Sequence, residues 1–306
     1  MTVPTTARVL FAASITSAPA PGAPCPGPFT TSRPTALTHD FERMNFFHGT
    51  EYVGLENPYE KILAPSQTGI WKMNMDTGKA EMVISLAKMA QIVYPKGLPS
   101  SGYLYFFREG WNPSGTRFIA FIKDPLNHDL NDAYSMAPDG TDVRFFYHGP
   151  SHHSWQDDHY LLDFGRHQPP DGGPARNGYF LFRDDGTGKA KELLWAVEVN
   201  DGYGGDGHDS YVPGPGGDWI ISDTYPIDHY QYLFLYHRPT RLFVPLAKLK
   251  STADWTVGDG MCRVDLHPRL SRDGRMVSID STHEGLGRQM YVIDIGSILD
   301  HPPTHR

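Results

Sequence analysis

A polar residue followed three places later by an aromatic or apolar residue recurs four times along this 306-residue chain. The first residues of the copies lie 44, 56 and 59 residues apart. Each copy is followed by a turn rich in Pro, Gly or Asp, and then by a strand of β-branched or aromatic residues. Self-similarity at such a spacing indicates a chain built from repeated structural units. The copies are Arg108-x-x-Trp111, His152-x-x-Trp155, His208-x-x-Tyr211 and His267-x-x-Leu270.

The repeated unit predicts the fold class. Each unit carries a second hairpin that starts with an aromatic strand, and Asp-Gly turns such as 139–140 and 185–186 are typical of antiparallel hairpins. Four strands in a period of roughly 40 to 60 residues predict an all-β fold, a β-propeller of four-stranded antiparallel blades. We expect seven blades, with six as the alternative, because residues 41–100 leave room for further degenerate units. A β-sandwich is the rival fold, but it would not repeat one polar position at this spacing.

Composition supports an all-β domain. The 31 glycines and 26 prolines are too many for a mostly helical protein, so only 80–91 is expected to be a helix. Residues 1–40 form a leader rich in Pro, Ala, Ser and Thr that we expect to be disordered, and 41–306 form a single propeller domain. An apolar stretch at 9–15 keeps an export signal open, so the compartment is undecided, with the cytoplasm slightly favoured over export.

Charge and missing motifs exclude several function classes. A net charge of −8 and a pI near 6.0 argue against nucleic acid as a partner. The sequence lacks an apolar run of roughly 18 to 20 residues, so we expect no membrane insertion. It also lacks a Gly-x-Ser-x-Gly elbow, a phosphate loop and a dinucleotide fingerprint, which leaves hydrolase, kinase and Rossmann interpretations without support.

The three repeated histidines predict a metal site. The first strand of each blade lines the axis of a propeller, so His152, His208 and His267 should point into one volume. Imidazole is the commonest metal ligand near neutral pH, and Cys262 or Asp265, just before His267, could complete a site for Zn²⁺ or Mn²⁺. A lone histidine at a strand start is more often a hydrogen-bonding residue than a ligand, and Cys262 alone would be an ordinary buried thiol.

Four segments of the chain resemble those of oligogalacturonate lyases, and the similarity extends from about Phe46 to Ile298. The resemblance implies a seven-bladed propeller that holds a divalent ion, typically Mn²⁺, with three histidines and a glutamine. The segments are Ser151-His152-His153-Ser154-Trp155, Asp206-Gly207-His208-Asp209-Ser210-Tyr211, Asp223-Thr224-Tyr225-Pro226 and Asp265-Leu266-His267-Pro268-Arg269.

Carried over by motif, the resemblance implies that His152 and His267 are metal ligands. Cys262 stands at the glutamine position of the family and Asp265 at the position of the remaining histidine. His208 matches a blade-opening histidine. Two ligand positions therefore carry a different chemical group, which leaves the metal as either Mn²⁺ or Zn²⁺.

The function that the resemblance implies is metal-dependent cleavage of uronate-containing oligo- or polysaccharides by β-elimination. The partner would then be an acidic oligosaccharide. Arg108, at the axial repeat position, is the candidate for the base that removes the proton, although relatives commonly show histidine there. The alternative is a non-catalytic propeller that binds a carbohydrate or protein partner, and the altered positions at Arg108, Cys262 and Asp265 favour it.

Overall fold

The computed structural model describes residues 9–11, 69–74, 78–95, 105–124, 130–196, 205–214, 217–251, 264–285 and 287–304. These residues form four separate four-stranded antiparallel sheets and one two-stranded sheet. In the described part of the chain no helix is both long and apolar enough to cross a membrane.

Each four-stranded sheet is one blade, and its strands follow one another as antiparallel neighbours in the order of the chain. Blade IV departs from this pattern in one respect, because its outermost strand comes from near the start of the sequence. The strands are β1 (Val9–Phe11) in blade IV; β2 (Gly69–Met73) and β3 (Ala80–Ser85) in the two-stranded sheet; β4 (Tyr105–Trp111), β5 (Phe118–Lys123), β6 (Asn131–Met136) and β7 (Arg144–His148) in blade I; β8 (His153–Trp155), β9 (Tyr160–His167), β10 (Arg176–Arg183) and β11 (Ala190–Ala196) in blade II; β12 (Ser210–Tyr211), β13 (Trp219–Asp223), β14 (Tyr230–His237) and β15 (Leu242–Lys250) in blade III; and β16 (Arg269–Leu270), β17 (Met276–Ser281) and β18 (Gln289–Asp294) in blade IV.

The helix expected at 80–91 is wrong for its first half. Residues 80–85 form β3, which pairs with β2, and helix α1 (Leu86–Val93) starts only after Ser85. The Ser85 side chain accepts a hydrogen bond from the Lys88 backbone N–H at 3.1 Å, which satisfies one of the amides at the helix start. Strand pairing and this N-cap therefore override the apolar spacing on which the helix prediction rests. A second short helix, α2 (Gly296–Leu299), follows blade IV.

Strand β1 lies within the predicted leader. Val9 pairs with Ile293 and Phe11 with Tyr291, so β1 adds an antiparallel strand to β18. The rest of the leader lies outside the described residues. The domain boundary after residue 40 stays a prediction.

The strands in the middle of the blades are buried on both faces, which is why they are apolar without interruption. In β5, Phe118, Ala120 and Ile122 pack against the two-stranded sheet, while Ile119 and Phe121 pack against blade II. Successive side chains of a strand point to opposite faces, so one strand supplies two interfaces between blades. Similar apolar layers join blade II to blade III and blade III to blade IV.

This arrangement of small antiparallel sheets around a shared axis is a β-propeller, as the repeat predicts. The described residues contain four complete blades and the two-stranded sheet. The expected count of seven or six blades stays a prediction for the whole chain. At 44 to 59 residues each, the stretch from Gly69 to Asp294 holds four units and part of a fifth.

Candidate functional site

The repeated polar residues meet at one axial cavity of about 1210 Å³. Arg108, His152, His208 and His267, one from each blade, all line it. The ring centroids of His152 and His208 are 4.3 Å apart, and those of His208 and His267 are 3.8 Å apart. The structure therefore brings the three histidines together as their shared repeat position predicts.

The other repeated position lines the same cavity with rings and apolar groups. Trp111, Trp155, Tyr211 and Leu270 stand three residues after the polar residues, and all four are partly buried. The Trp155 indole N–H donates to the Gly110 carbonyl at 3.2 Å, which ties blade II to blade I. Each inner strand thus ends on a packing group, three residues after the polar group of the repeat.

His208 is held by Asp223, a completely buried carboxylate. The two Asp223 oxygens lie 3.0 and 3.1 Å from His208 Nδ1. The same carboxylate accepts the backbone N–H of His208 at 2.6 Å and that of His267 at 3.0 Å. Asp223 therefore fixes the starts of two neighbouring blades and leaves His208 Nε2 available as a ligand atom.

His267 has a strained backbone. Its φ of +45° lies in the left-handed region that favours glycine. Such strain costs about 1 to 3 kcal/mol and persists where surrounding contacts enforce it. The hydrogen bond from its amide to Asp223 is one such contact. Burial, followed by the neighbouring His208, lowers the pKa of His267, so the neutral imidazole that a metal requires is favoured.

A potential metal-binding group lies at this point of the cavity. Ligand atoms of His208, Asp265 and His267 all lie within 4.8 Å of one another. Two imidazoles and one carboxylate suit a borderline divalent ion such as Zn²⁺ or Mn²⁺. Asp265 is 7% exposed, so its carboxylate is largely shielded from water. Cys262, the other predicted ligand on this segment, lies outside the described residues.

His152 contacts this group but is not part of it. Its Nδ1 is 2.6 Å from Asp206, and Asp206 also accepts a hydrogen bond from the Ser151 hydroxyl at 2.5 Å. The opposite ring nitrogen, Nε2, lies 3.4 Å from the Tyr225 hydroxyl. Burial lowers the pKa of His152, although the hydrogen bond to Asp206 acts against this change. His152 is thus an oriented imidazole whose Nε2 can exchange a proton.

Arg108 reaches the cavity from a β-bulge. The pairing of β4 with β5 shifts register between Phe107 and Glu109, and Arg108 between them has a φ of +49°. Its guanidinium donates to the Ser151 carbonyl at 3.2 Å. A guanidinium stays protonated in proteins, so Arg108 is better suited to hold an anion than to remove a proton.

Sequence reasoning assigned no role to three further residues at or near the site. Tyr225 packs against both His152 and His208, with ring centroids 5.8 and 5.6 Å away. Asp209 is a buried residue of the cavity wall, and Lys123, the last residue of β5, lies over the same Phe107 ring as Arg108. None of these positions repeats from blade to blade, so the repeat spacing gives no signal for them.

Comparison with known proteins shows no family for this chain. No family model and no curated protein matches the chain. An oligogalacturonate lyase in complex with manganese is 14% identical over 74% of this chain and 54% of its own, with a TM-score of 0.49. TolB from Acinetobacter baumannii is 14% identical over 74% and 49%, with a TM-score of 0.44. A prolyl endopeptidase is 10% identical over 74% and 31%, with a TM-score of 0.47.

The chain thus spans about half of the lyase and TolB chains and about a third of the prolyl endopeptidase chain. The three solved structures are of different proteins, and their similarity to this chain does not choose among them. The assignment to the β-propellers rests on the blades described above.

Proposed function

We propose that this chain is a metal-dependent lyase that cleaves uronate-containing oligosaccharides by β-elimination. The observation that carries the proposal is a potential metal-binding group, His208, Asp265 and His267, in direct contact with an oriented imidazole, His152. The three histidines line a cavity that also presents the cationic Arg108.

In this proposal His208, Asp265 and His267 hold the ion. A divalent ion bound there would neutralise the uronate carboxylate and make the neighbouring carbon-bound proton more acidic. The rigid hold of Asp223 on His208 and on the His267 backbone keeps two of the ligands in place before the ion arrives. Such pre-orientation of ligands by their hydrogen-bond partners increases metal affinity.

His152 is then the base. Asp206 accepts a hydrogen bond from the Nδ1–H of His152. The lone pair of the neutral ring is therefore on Nε2, the atom that faces Tyr225. Nε2 removes the proton next to the uronate carboxylate. The electrons of the broken carbon–hydrogen bond form the new carbon–carbon double bond, and the glycosidic carbon–oxygen bond breaks, so that its electrons leave with the oxygen. The leaving oxygen takes up a proton, which the Tyr225 hydroxyl or the protonated His152 can supply.

An ultraviolet assay tests the proposal. Uronate oligosaccharides incubated with the protein and Mn²⁺ should yield an absorbing unsaturated sugar, and a chelator should abolish the product. His152→Ala should lower turnover by about 10²- to 10⁴-fold, the usual contribution of a general base.

His148 provides a matched control, because it forms a similar pair with Asp132 at 2.7 Å but is exposed on the outer strand β7. His148→Ala should keep full activity. If a broad panel of uronates yields no product, or if His152→Ala and the chelator change nothing, the lyase proposal is wrong. A protein that binds acidic sugars without cleaving them would then fit the non-catalytic alternative.

A further inference from the structure

Two cations lie over the same aromatic ring on the blade I side of the axis. Lys123 Nζ is 4.6 Å from the centroid of the Phe107 ring, and Arg108 Cζ is 5.2 Å from it. The two cations are therefore at most about 10 Å apart. Both side chains are only partly exposed. Like charges this close repel each other unless an anion lies between or beside them.

The backbone at Arg108 is strained in a way that favours a role in binding. Glycine would adopt its φ of +49° without cost, and a bulge at this point of β4 turns the side chain toward the cavity. Strained residues of this kind cluster at ligand sites. An arginine at a position that suits glycine indicates that its side chain has a use there.

The two cations have no direct ionic partner. Among the described residues, no carboxylate lies within 4.0 Å of Arg108 or Lys123 as an ion pair. The nearby carboxyl groups already have other partners: Asp206 accepts hydrogen bonds from His152 and Ser151, and Asp163 accepts them from Tyr147 and from the Ser151 backbone. Burial, and then the charge of Arg108, lowers the pKa of Lys123, while Asp163 and Asp206 act against this change.

We infer that Arg108 and Lys123 form an anion subsite that takes a second carboxylate of an acidic oligosaccharide. The inference rests on the proposed function and deepens it. The potential metal-binding group lies on blades III and IV, His152 on blade II, and the two cations on blade I, where Arg108 lines the cavity and Lys123 lies beside it over the Phe107 ring. A substrate that spans the cavity would place one uronate at the ion and its neighbour at Arg108 and Lys123.

Two variants remove the cations without disturbing the fold. Lys123→Met keeps most of the aliphatic stem, and Arg108→Gly places the residue that best tolerates a φ of +49°. Lys248→Met is the matched control, because Lys248 also lies over aromatic rings, 4.5 Å from Tyr230 and 5.3 Å from Tyr232. Lys248 belongs to the outermost strand of blade III, away from the axis.

Sulfate provides a test that is independent of catalysis. Calorimetric titration of sulfate into metal-free protein at constant ionic strength should show binding to the unsubstituted chain and to Lys248→Met. Lys123→Met and Arg108→Gly should each weaken this binding about tenfold or more, as expected when a charge-assisted hydrogen bond is lost. Equal sulfate affinity in all four proteins would overturn the subsite.

Sugar binding then tests the assignment of the subsite. In a His152→Ala background with Mn²⁺, digalacturonate should bind more tightly than galacturonate. Lys123→Met should lower the ratio of the two affinities about tenfold. An unchanged preference would overturn the inference. If the variants bind sulfate more weakly but no form of the protein binds or cleaves a uronate, the anion subsite stands and the proposed function fails.

Discussion

Two histidine–aspartate pairs stand side by side on the axis, and their surroundings differ. Asp223, beside His208, is completely buried and accepts hydrogen bonds from the His208 ring, from its backbone N–H and from the backbone N–H of His267. Asp206, beside His152, has a side chain that is 23% exposed, and within the described ranges its carboxylate accepts hydrogen bonds from the side chains of His152 and Ser151.

The difference in hydrogen bonding suits the two aspartates to different roles. A carboxylate that binds the backbone of two blades cannot move without disturbing both, so Asp223 gives His208 and His267 the fixed positions that metal ligands need. Asp206 orients the His152 ring through a side-chain contact, which suits an imidazole that must gain and lose a proton. In the proposed function, the histidine–aspartate pair of one blade therefore supplies the base and that of the next blade supplies a metal ligand.

The largest effect is expected from removing the two aspartates in parallel. Asp223→Ala leaves two backbone N–H groups and an imidazole without their buried acceptor, and should lower the free energy of unfolding by about 3 to 5 kcal/mol. Asp206→Ala should cost about 1 to 2 kcal/mol, because its partners lie closer to water. Urea unfolding of both variants measures the difference. Equal losses would show that Asp223 does not join the two blades.

A neighbouring histidine without a carboxylate sharpens the comparison. His153 packs against Phe121 in blade I, with ring centroids 4.9 Å apart, and its Nδ1 has no hydrogen-bond partner among the described residues. Burial, followed by the charges of Arg108 and His152, lowers its pKa from the usual 6.5 to about 3. The unfolded chain therefore binds this proton at a higher pH than the folded chain.

The stability that neutral His153 provides is complete above pH 6.5 and decreases as the pH falls toward 3. The slope should approach 1.4 kcal/mol per pH unit, the value of about one proton. His153→Gln has no such proton, so its unfolding free energy should change less between pH 6.5 and pH 5. Parallel curves for His153→Gln and the unsubstituted chain would contradict the buried neutral state.

A smaller effect is expected from relieving the backbone strain at His267. His267→Gly relieves a φ of +45° and should raise the unfolding free energy of the metal-free protein by about 1 kcal/mol, while Mn²⁺ should no longer stabilise it. His152 has no positive φ and is buried, so His152→Gly should destabilise the protein. Thermal unfolding with and without Mn²⁺ separates the two. If both variants are destabilised to the same extent, the positive φ of His267 does not cost the folded protein free energy.

Much of this arrangement follows from the sequence. Repeat spacing predicts the propeller and the meeting of His152, His208 and His267, because equivalent positions of successive blades face one axis. It does not predict that β3 replaces the first half of a helix, since a strand partner from β2 decides that point. The described residues hold four blades, so the expected count of seven or six stays a prediction for the whole chain.

The finer features of the site depend on geometry that no spacing encodes. Asp206 and Asp223 stand on either side of His208 in sequence, yet Asp206 pairs with His152 across two blades. The bulge that turns Arg108 toward the cavity arises because Arg108 has no pairing partner in β5, whereas Phe107 and Glu109 on either side of it do. Such details are set by which strands pair and in which register, so only the folded chain displays them.

Titration of Mn²⁺ into the chelator-treated protein, followed by calorimetry, tests the division of roles most directly. The account predicts that Asp265→Ala weakens binding at least about tenfold, because it removes a ligand. His152→Ala should bind Mn²⁺ within about threefold of the unsubstituted chain, since His152 is not a ligand in this account. A loss of affinity in His152→Ala as large as that in Asp265→Ala would place His152 among the ligands and contradict the account.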